Sequence, residues 1–447
     1  MTIAPVSSAS APGSNPDHLL RRELGVRQLA AIIFNYTVGS GIFALPAVIA
    51  ASLGSAAVLA YIVCAAVMAL MVACFAEAGS RISVTGGPYA YVDAAFGPYP
   101  GFLAGAFYLA SDLASTAAVA TLFAASVARL TGSSSILVQD VLAVTVIALV
   151  AGVHVRGVRS GARLVEYFTL AKVIPLIAFV ALGAFFVRPA NLAWSSVPPA
   201  QSLVHASGVL IFAFVGIESA LVVSGEVRNT SRTVPRAVFL ALGAVALLYL
   251  AIQTVALGVL GASPLAEDRI APLATAMALI TGPTGRIAML AGATVSTLGY
   301  LAGSMLGGPR CVFAFARDGL APQPLARVHP SHHTPHVAIS VYAIVACLLA
   351  LSGTFESLAL ITSIASLLVY FGSALSVLRL RARDVRSEGE PFVVPGGPVV
   401  PLLACAAVAW LVVSTTGRAE AAAMAITVLI ATGLYVMRSL KLPHVLH

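Results

Sequence analysis

The sequence predicts an all-α polytopic membrane protein with about twelve transmembrane helices. Of its 447 residues, 59% are hydrophobic and only 9% are charged, which is too little polar surface to cover a soluble domain of this size. Apolar segments of roughly 20 residues recur along the chain, and each is long enough to cross ~30 Å of hydrocarbon as a helix. Basic residues concentrate in alternate connections between these segments, which is typical of membrane proteins with a fixed orientation.

The apolar segments define the predicted spans, in chain order. They are roughly 27–50, 55–79, 99–130, 136–154, 164–187, 202–227, 234–261, 284–315, 336–352, 357–379, 398–416 and 419–437. Residues 1–20 are rich in Ala, Ser and Pro. They lack the basic segment followed directly by an apolar segment that a signal peptide has, so we expect a disordered cytoplasmic tail. We expect ten spans to form a core over residues 21–390, with the last two spans in residues 391–447.

The positions of the basic residues predict the orientation of the chain. If the N-terminus is cytoplasmic, 19 of the 25 Lys and Arg residues lie at cytoplasmic ends of spans and 5 at the opposite ends, with Lys172 left inside span 5. The positive-inside rule then places both termini in the cytoplasm, and we expect the protein in the inner membrane of the cell. This asymmetry explains the net charge of +8 without a nucleic-acid partner.

Span 1 contains a predicted helix break. Gly39 and Gly41 flank Ser40 near the middle of the span, and Pro46 follows about a turn and a half later. Both residue types weaken a continuous helix, and non-helical backbone at this depth must line a cavity or lie buried in protein. Close helix packing through small residues is the alternative explanation.

Span 6 favours the break over simple packing. Gly216 lies in mid-span and is followed closely by the carboxylate of Glu218. Two irregular helices five spans apart are what an inverted-repeat transporter predicts. The exposed amides of a half-helix beginning near Gly41 would then bind a carboxylate.

Several short motifs follow one another in order over roughly residues 20–440. They are Gly39-Ser40-Gly41-Ile42-Phe43 with Leu45-Pro46, Phe75-Ala76-Glu77, Gly86-Gly87-Pro88-Tyr89-Ala90-Tyr91, Phe96-Gly97-Pro98, Phe212 to Ser219, Asn229 to Pro235, and Ala316 to Pro322. Together they resemble the motifs of the amino acid–polyamine–organocation permeases. The resemblance implies a leucine-transporter-type five-plus-five inverted repeat, two further helices, and alternating access around a site built from helices 1, 3, 6 and 8.

The resemblance also implies the residues that bind substrate. They are Val38, Gly39, Ser40, Gly41, Phe212, Val215, Gly216 and Ser304. The glycine-rich part would hold the substrate carboxylate, Phe212 would close over the substrate, and the span 6 residues would border its amine. In the arginine–agmatine branch of the family a helix 8 tryptophan packs on the substrate, and its nearest counterpart here is Ser304. This departure argues against arginine-type exchange.

Lys172 is one of two lysines in the chain and lies inside span 5. A charge in hydrocarbon costs roughly 2.5–3.5 kcal/mol on insertion scales, so it needs a compensating role. In sodium-independent members of the resembled family a helix 5 lysine replaces a bound sodium ion, and Lys172 matches that position. Snorkelling of the side chain to the cytoplasmic surface is the alternative.

Two carboxylates inside spans are further candidates for coupling. Asp112 in span 3 is either a structural hydrogen-bonding group or a proton site or contact for a cationic substrate. Glu218 would carry a coupled proton or brace the break in span 6. Glu77, at the end of span 2, is expected to pair with Arg81 on the cytoplasmic side instead.

The same sequence argues against other classes of function. It has no phosphate-binding loop for an ATP-driven pump, no hydrolase-like catalytic set, and no spacing of Cys or His typical of a metal site. We therefore expect no enzyme and no cofactor, but a transporter of amino acids in contact with membrane lipid. Neutral amino acids are favoured, cationic amino acids or polyamines are the alternative, and a channel or a non-transporting sensor is a more distant one. The oligomeric state is not predicted.

Overall fold

The computed structural model describes residues 24–39, 41–83, 87–132, 135–156, 172–194, 197–218, 221, 227–317, 319–332, 334–386 and 389–441. Regular structure in this part of the chain is helical, apart from an isolated parallel bridge between Leu24 and Val227. The predicted tail, residues 1–20, and the site residue Ser40 lie outside the described residues. The fold is therefore that of an all-α polytopic membrane protein.

Helices occur at every predicted span. They are α1 Val26–Thr37, α2 Gly41–Leu53, α3 Val58–Arg81, α4 Pro88–Phe96, α5 Pro98–Leu130, α6 Ile136–Arg156, α7 Lys172–Phe186, α8 Ala200–Leu210, α9 Thr230–Leu260, α10 Ala262–Glu267, α11 Pro272–Thr281, α12 Pro283–Arg317, α13 His336–Ser352, α14 Phe355–Ala382, α15 Val399–Thr415 and α16 Arg418–Lys441. Seven helical stretches of the described chain are long and apolar enough to cross a membrane, and five shorter apolar helices accompany them. The short helices α4, α10 and α11 lie between predicted spans.

The first span is broken where the sequence predicts it. Helix α1 ends at Thr37, Val38 leaves helical geometry, and α2 begins at Gly41. Pro46 lies inside α2 without ending it. The first span is therefore broken before Gly41 and not at the proline.

The sixth span is broken too. Helix α8 tightens into a 3-10 turn over Ile211–Phe214, Val215 is extended, and Gly216 has a φ of 114°. A Cβ atom at Gly216 would lie only 2.7 Å from the carbonyl oxygen of Tyr36, near the end of α1. Only glycine accommodates both that φ and that approach. The two breaks therefore lie against each other.

The long helices pack into a bundle around these breaks. Helix α5 packs along α14 and α12, while α3 packs along α9. On the periphery, Leu149 of α6, Val413 of α15 and Leu429 of α16 leave most of their side chains exposed. Apolar residues on the outside and a packed interior are what a helical bundle needs in a lipid environment.

Candidate functional site

A cavity lies where the two helix breaks meet. Its lining residues come from five of the helices and from both breaks. They are Tyr36, Thr37, Gly39, Gly41, Ile42, Ser115, Val119, Phe212, Ala213, Val215, Tyr249 and Tyr300. The lining side chains are apolar or carry hydroxyl groups, and none of these residues has a charged side chain. The cavity therefore suits a ligand whose charges are met by backbone atoms.

The start of α2 supplies backbone donors to this cavity. The first four N–H groups of a helix have no intrahelical acceptor, and α2 begins at Gly41 in the cavity wall. These groups and the helix dipole favour an anion at this position. A Cβ atom on Gly41 would lie 2.9 Å from ring carbons of Phe212, so the glycine lets the aromatic ring lie directly over the break.

The end of α1 supplies backbone acceptors. The last four carbonyls of a helix lack intrahelical donors, and three neighbouring elements approach those of α1. The side-chain nitrogen of Lys172 donates to the Asn35 carbonyl at 2.6 Å, Gly216 lies against the Tyr36 carbonyl, and the Tyr249 hydroxyl faces the Thr37 carbonyl at 2.9 Å. Side chains thus hydrogen-bond to two of the last three carbonyls of α1, and the second break packs against the carbonyl between them.

Tyr249 connects both breaks. Its hydroxyl lies 2.9 Å from the carbonyl oxygen of Thr37 in α1 and 2.9 Å from that of Ala213 in the 3-10 turn. The side chain is fully buried on α9 and also lines the cavity. A single hydroxyl therefore bridges one carbonyl at each break, and the Thr37 carbonyl also accepts from the backbone N–H of Gly39 at 2.8 Å.

Lys172 is 6% exposed, so it does not reach the surface as the snorkelling alternative requires. It forms no ion pair with a carboxylate in the described part of the chain, and its ammonium donates to the Asn35 carbonyl. A cation at the C-terminal end of a helix interacts favourably with the helix dipole. The charge of Lys172 is thus directed at the end of α1.

Glu218 lies next to the second break and is buried. One of its carboxylate oxygens accepts from the backbone N–H of Gly216 at 3.0 Å and from the Tyr370 hydroxyl of α14 at 2.5 Å. It therefore braces the unwound backbone and joins it to α14. It does not line the cavity.

Asp112 belongs to a polar cluster of α5, α12 and α13. Its carboxylate accepts from Tyr342 at 2.6 Å and from Ser304 at 3.3 Å, and Thr116 bonds to both of those hydroxyls. Gly308 allows this approach, because a Cβ atom there would collide with the Asp112 carboxylate. Asp112 and Ser304 thus lie beside the cavity and not in its lining.

The predicted site residues are only partly brought together. Gly39, Gly41, Phe212 and Val215 line the cavity, whereas Val38 and Gly216 belong to the breaks but not to the lining. Tyr300, one turn before Ser304 on α12, lines the cavity and bonds to Ser115 of α5 at 2.5 Å. Sequence reasoning missed Tyr36, Tyr249 and Tyr300. Their aromatic side chains with a polar tip inside apolar spans were the available signal.

Comparison with known proteins agrees with this geometry. A family model described as amino acid permease matches residues 24–435. The methylthioribose transporter of Bacillus subtilis (strain 168) is 26% identical over 417 residues, covering 89% of each chain. The branched-chain amino acid permease of the same organism is 24% identical, covering 86% of each chain. Its serine/threonine exchanger is 26% identical, covering 87% of this chain and 90% of its own.

These relatives are transporters and permeases, not enzymes, and the match runs through both broken spans. The motifs in the sequence resemble the same group of proteins. The chain is a multi-pass membrane protein that belongs to the amino acid permease family, within the amino acid–polyamine–organocation permeases.

Proposed function

We propose that this protein is a sodium-independent secondary transporter of neutral amino acids. It moves its substrate across the inner membrane by alternating access, coupled to protons or to exchange. The observation that carries the proposal is the cavity between the two helix breaks. The charge asymmetry of the sequence supports an orientation with both termini in the cytoplasm.

The backbone at the breaks matches the main-chain part of an amino acid. The substrate carboxylate binds the free amides at the start of α2, beginning at Gly41. The ammonium group binds carbonyls around Val215 at the second break, where helical hydrogen bonding stops. Phe212 covers the substrate from above Gly41. Both charges of a zwitterion are then met without a charged side chain.

The rest of the cavity supports a neutral side chain. Ile42 and Val119 are apolar, while Ser115 and Tyr300 hydrogen-bond to each other. A substrate with a cationic side chain would have its charge buried against this lining without a counter-ion, which is costly. The relatives that transport branched-chain amino acids or exchange serine and threonine are consistent with this substrate class.

A cationic amino acid or polyamine is the second candidate, and Asp112 is the observation that favours it. Its carboxylate lies beside the cavity but is engaged by Tyr342 and Ser304. A rearrangement of this cluster would be needed before the carboxylate reached a substrate. A relative named cationic amino acid transporter 4, from Mus musculus, is 29% identical over 408 residues.

Lys172 supports sodium independence. Its ammonium already supplies a positive charge at the Asn35 carbonyl, and a sodium ion at the same place would meet strong repulsion. Glu218 and Asp112 are the proposed proton carriers, because each is buried and hydrogen-bonded to a tyrosine on another helix. Movement of the broken helices against α5, α6, α12 and α13 exposes the site to one side at a time.

Purified protein in liposomes tests the proposal. We expect uptake of a neutral amino acid, such as L-leucine or L-serine, that is saturable, stimulated by an inward proton gradient or by internal amino acid, and unchanged when sodium replaces potassium. A thermal-shift screen against amino acids and polyamines selects the substrate. Preferential binding of L-lysine or spermidine would favour the second candidate, and flux that never saturates would indicate a channel.

A further inference from the structure

A second cavity lies further along α12, outside the site described above. It is lined by residues of α6, α12 and the start of α13. They are His154, Met305, Leu306, Pro309, Arg310, Thr334, Pro335 and Ile339. Arg310 is ten residues after Tyr300 of the first cavity, a distance of about 15 Å along a helix. It belongs to the set of basic residues that the charge asymmetry places on the cytoplasmic side.

Arg310 provides an unpaired cation in this cavity. It forms no ion pair with a carboxylate in the described part of the chain, and its guanidinium donates to the carbonyl of Leu306 in its own helix. A guanidinium offers five N–H donors, and carboxylates are the groups it matches best. This side of the cavity is therefore suited to a carboxylate ligand.

His154 of α6 provides an acceptor in the same cavity. Its Nδ1 lies 2.9 Å from the Val150 carbonyl oxygen. Since a carbonyl only accepts, Nδ1 carries the hydrogen and Nε2 of the neutral ring is an acceptor. The side chain is 3% exposed, and its Nε2 has no hydrogen-bond partner among the described residues.

Two carbonyls add to this acceptor. Pro309 has no N–H group, so the Met305 carbonyl four residues earlier loses its usual helical donor. The Ala302 carbonyl lies close to the His154 ring. Nε2 of the neutral ring and these two carbonyls are all acceptors, so a group with several N–H donors, such as an ammonium group, suits them.

We propose that this cavity is a second amino acid site on the cytoplasmic side of the central cavity. The carboxylate of the zwitterion binds Arg310, and its ammonium binds Nε2 of His154 with the carbonyls of Met305 and Ala302. The site holds the substrate as it leaves or enters from the cytoplasm. This inference rests on the proposed function and extends it to a second binding position.

Transport kinetics measured separately from each face test the site. In inverted membrane vesicles, Arg310→Gln and His154→Leu are expected to raise the KM for the fastest-transported amino acid about tenfold, since a charge-assisted hydrogen bond is lost. In right-side-out vesicles the KM should change less than about twofold. Arg310→Lys should retain part of the affinity. Arg286→Gln, which removes an exposed arginine near the other end of α12, serves as the control and should alter neither value.

Equal changes at both faces, or none at the cytoplasmic face, would overturn the second site. A separate measurement distinguishes its failure from failure of the proposed function. If the wild-type protein transports no amino acid, the proposed function fails, and acetate and ethylamine then probe the cavity directly in thermal-shift assays. Stabilisation by acetate that disappears in Arg310→Gln supports the site, whereas stabilisation that persists in the variant overturns it.

Discussion

The side-chain nitrogen of Lys172 lies 2.6 Å from the carbonyl oxygen of Asn35, within the last turn of α1. This contact joins α7 to the broken first span, and the lysine is buried. Its positive charge occupies a position where a cation stabilises the end of a helix. Changes at Lys172 should therefore act on the break itself.

Replacement of Lys172 by Met keeps most of the side-chain volume but removes the charge. We expect transport to fall by at least tenfold, because α1 loses the group that holds its free carbonyl. Counterflow in liposomes measures exchange and imposed pH gradients measure coupling. Lys172→Arg, which preserves the charge, should retain more activity than the Met variant. Transport by Lys172→Met at the wild-type rate would contradict the role assigned to the lysine. Stimulation of wild-type uptake by sodium would contradict it too.

Removal of the Tyr249 hydroxyl should abolish the hydrogen-bonded connection between the two breaks. Tyr249→Phe deletes the one donor shared by the Thr37 and Ala213 carbonyls while the ring contact with Phe214 remains possible. We expect the maximal exchange rate to fall about tenfold, since an unmet buried carbonyl costs about 1–3 kcal/mol. Exchange at saturating substrate measures the rate.

A matched control for this variant is Tyr61→Phe. Tyr61 is also a fully buried tyrosine, but its hydroxyl has no hydrogen-bond partner among the described residues. Its removal should leave exchange unchanged. If both variants lost activity alike, the effect would come from general loss of packing and not from the shared hydroxyl.

A methyl group at Gly216 should stop transport. At a φ of 114°, with the Tyr36 carbonyl 2.7 Å from the added Cβ atom, alanine forces the two breaks apart and strains the backbone by about 1–3 kcal/mol. Uptake by Gly216→Ala in liposomes should be close to background at normal expression. Gly243→Ala in α9, where an added Cβ atom meets open space, should transport normally. Normal uptake by the Gly216 variant would mean that the breaks do not need this contact.

The sequence predicts the spans and both breaks well because apolar length and mid-span glycines are local signals. It identifies the side chains around the cavity less well. Tyr249 and Tyr300 look like any tyrosine in an apolar helix, and only three-dimensional packing turns their hydroxyls toward the breaks or toward Ser115. The register of α12 shows the same limit. The resemblance selects Ser304, whereas Tyr300, one turn earlier, lines the cavity.

The partner of Glu77 shows why distant contacts escape such reasoning. Arg81 is expected from its spacing on the same helix, and its guanidinium indeed lies 3.0 Å from the Glu77 carboxylate. Arg381, 304 residues away, donates to the same carboxylate at 2.5 and 2.7 Å. The backbone N–H of Val394 donates a further bond at 2.9 Å. No local pattern connects α3 with the end of α14 and the segment before α15.

Glu77→Gln should therefore destabilise the protein. The carboxylate is fully buried, and loss of its charge leaves two arginines at one site without their counter-ion, which costs about 3–5 kcal/mol for a buried pair. The melting temperature of the detergent-purified variant should be measurably lower than that of the wild-type protein. Glu356→Gln, which breaks an exposed pair with Arg269 at 3.4 Å, should change it little, because exposed pairs contribute about 0–1 kcal/mol. Equal melting temperatures for the two variants would show that the Glu77 cluster contributes no more than a surface ion pair.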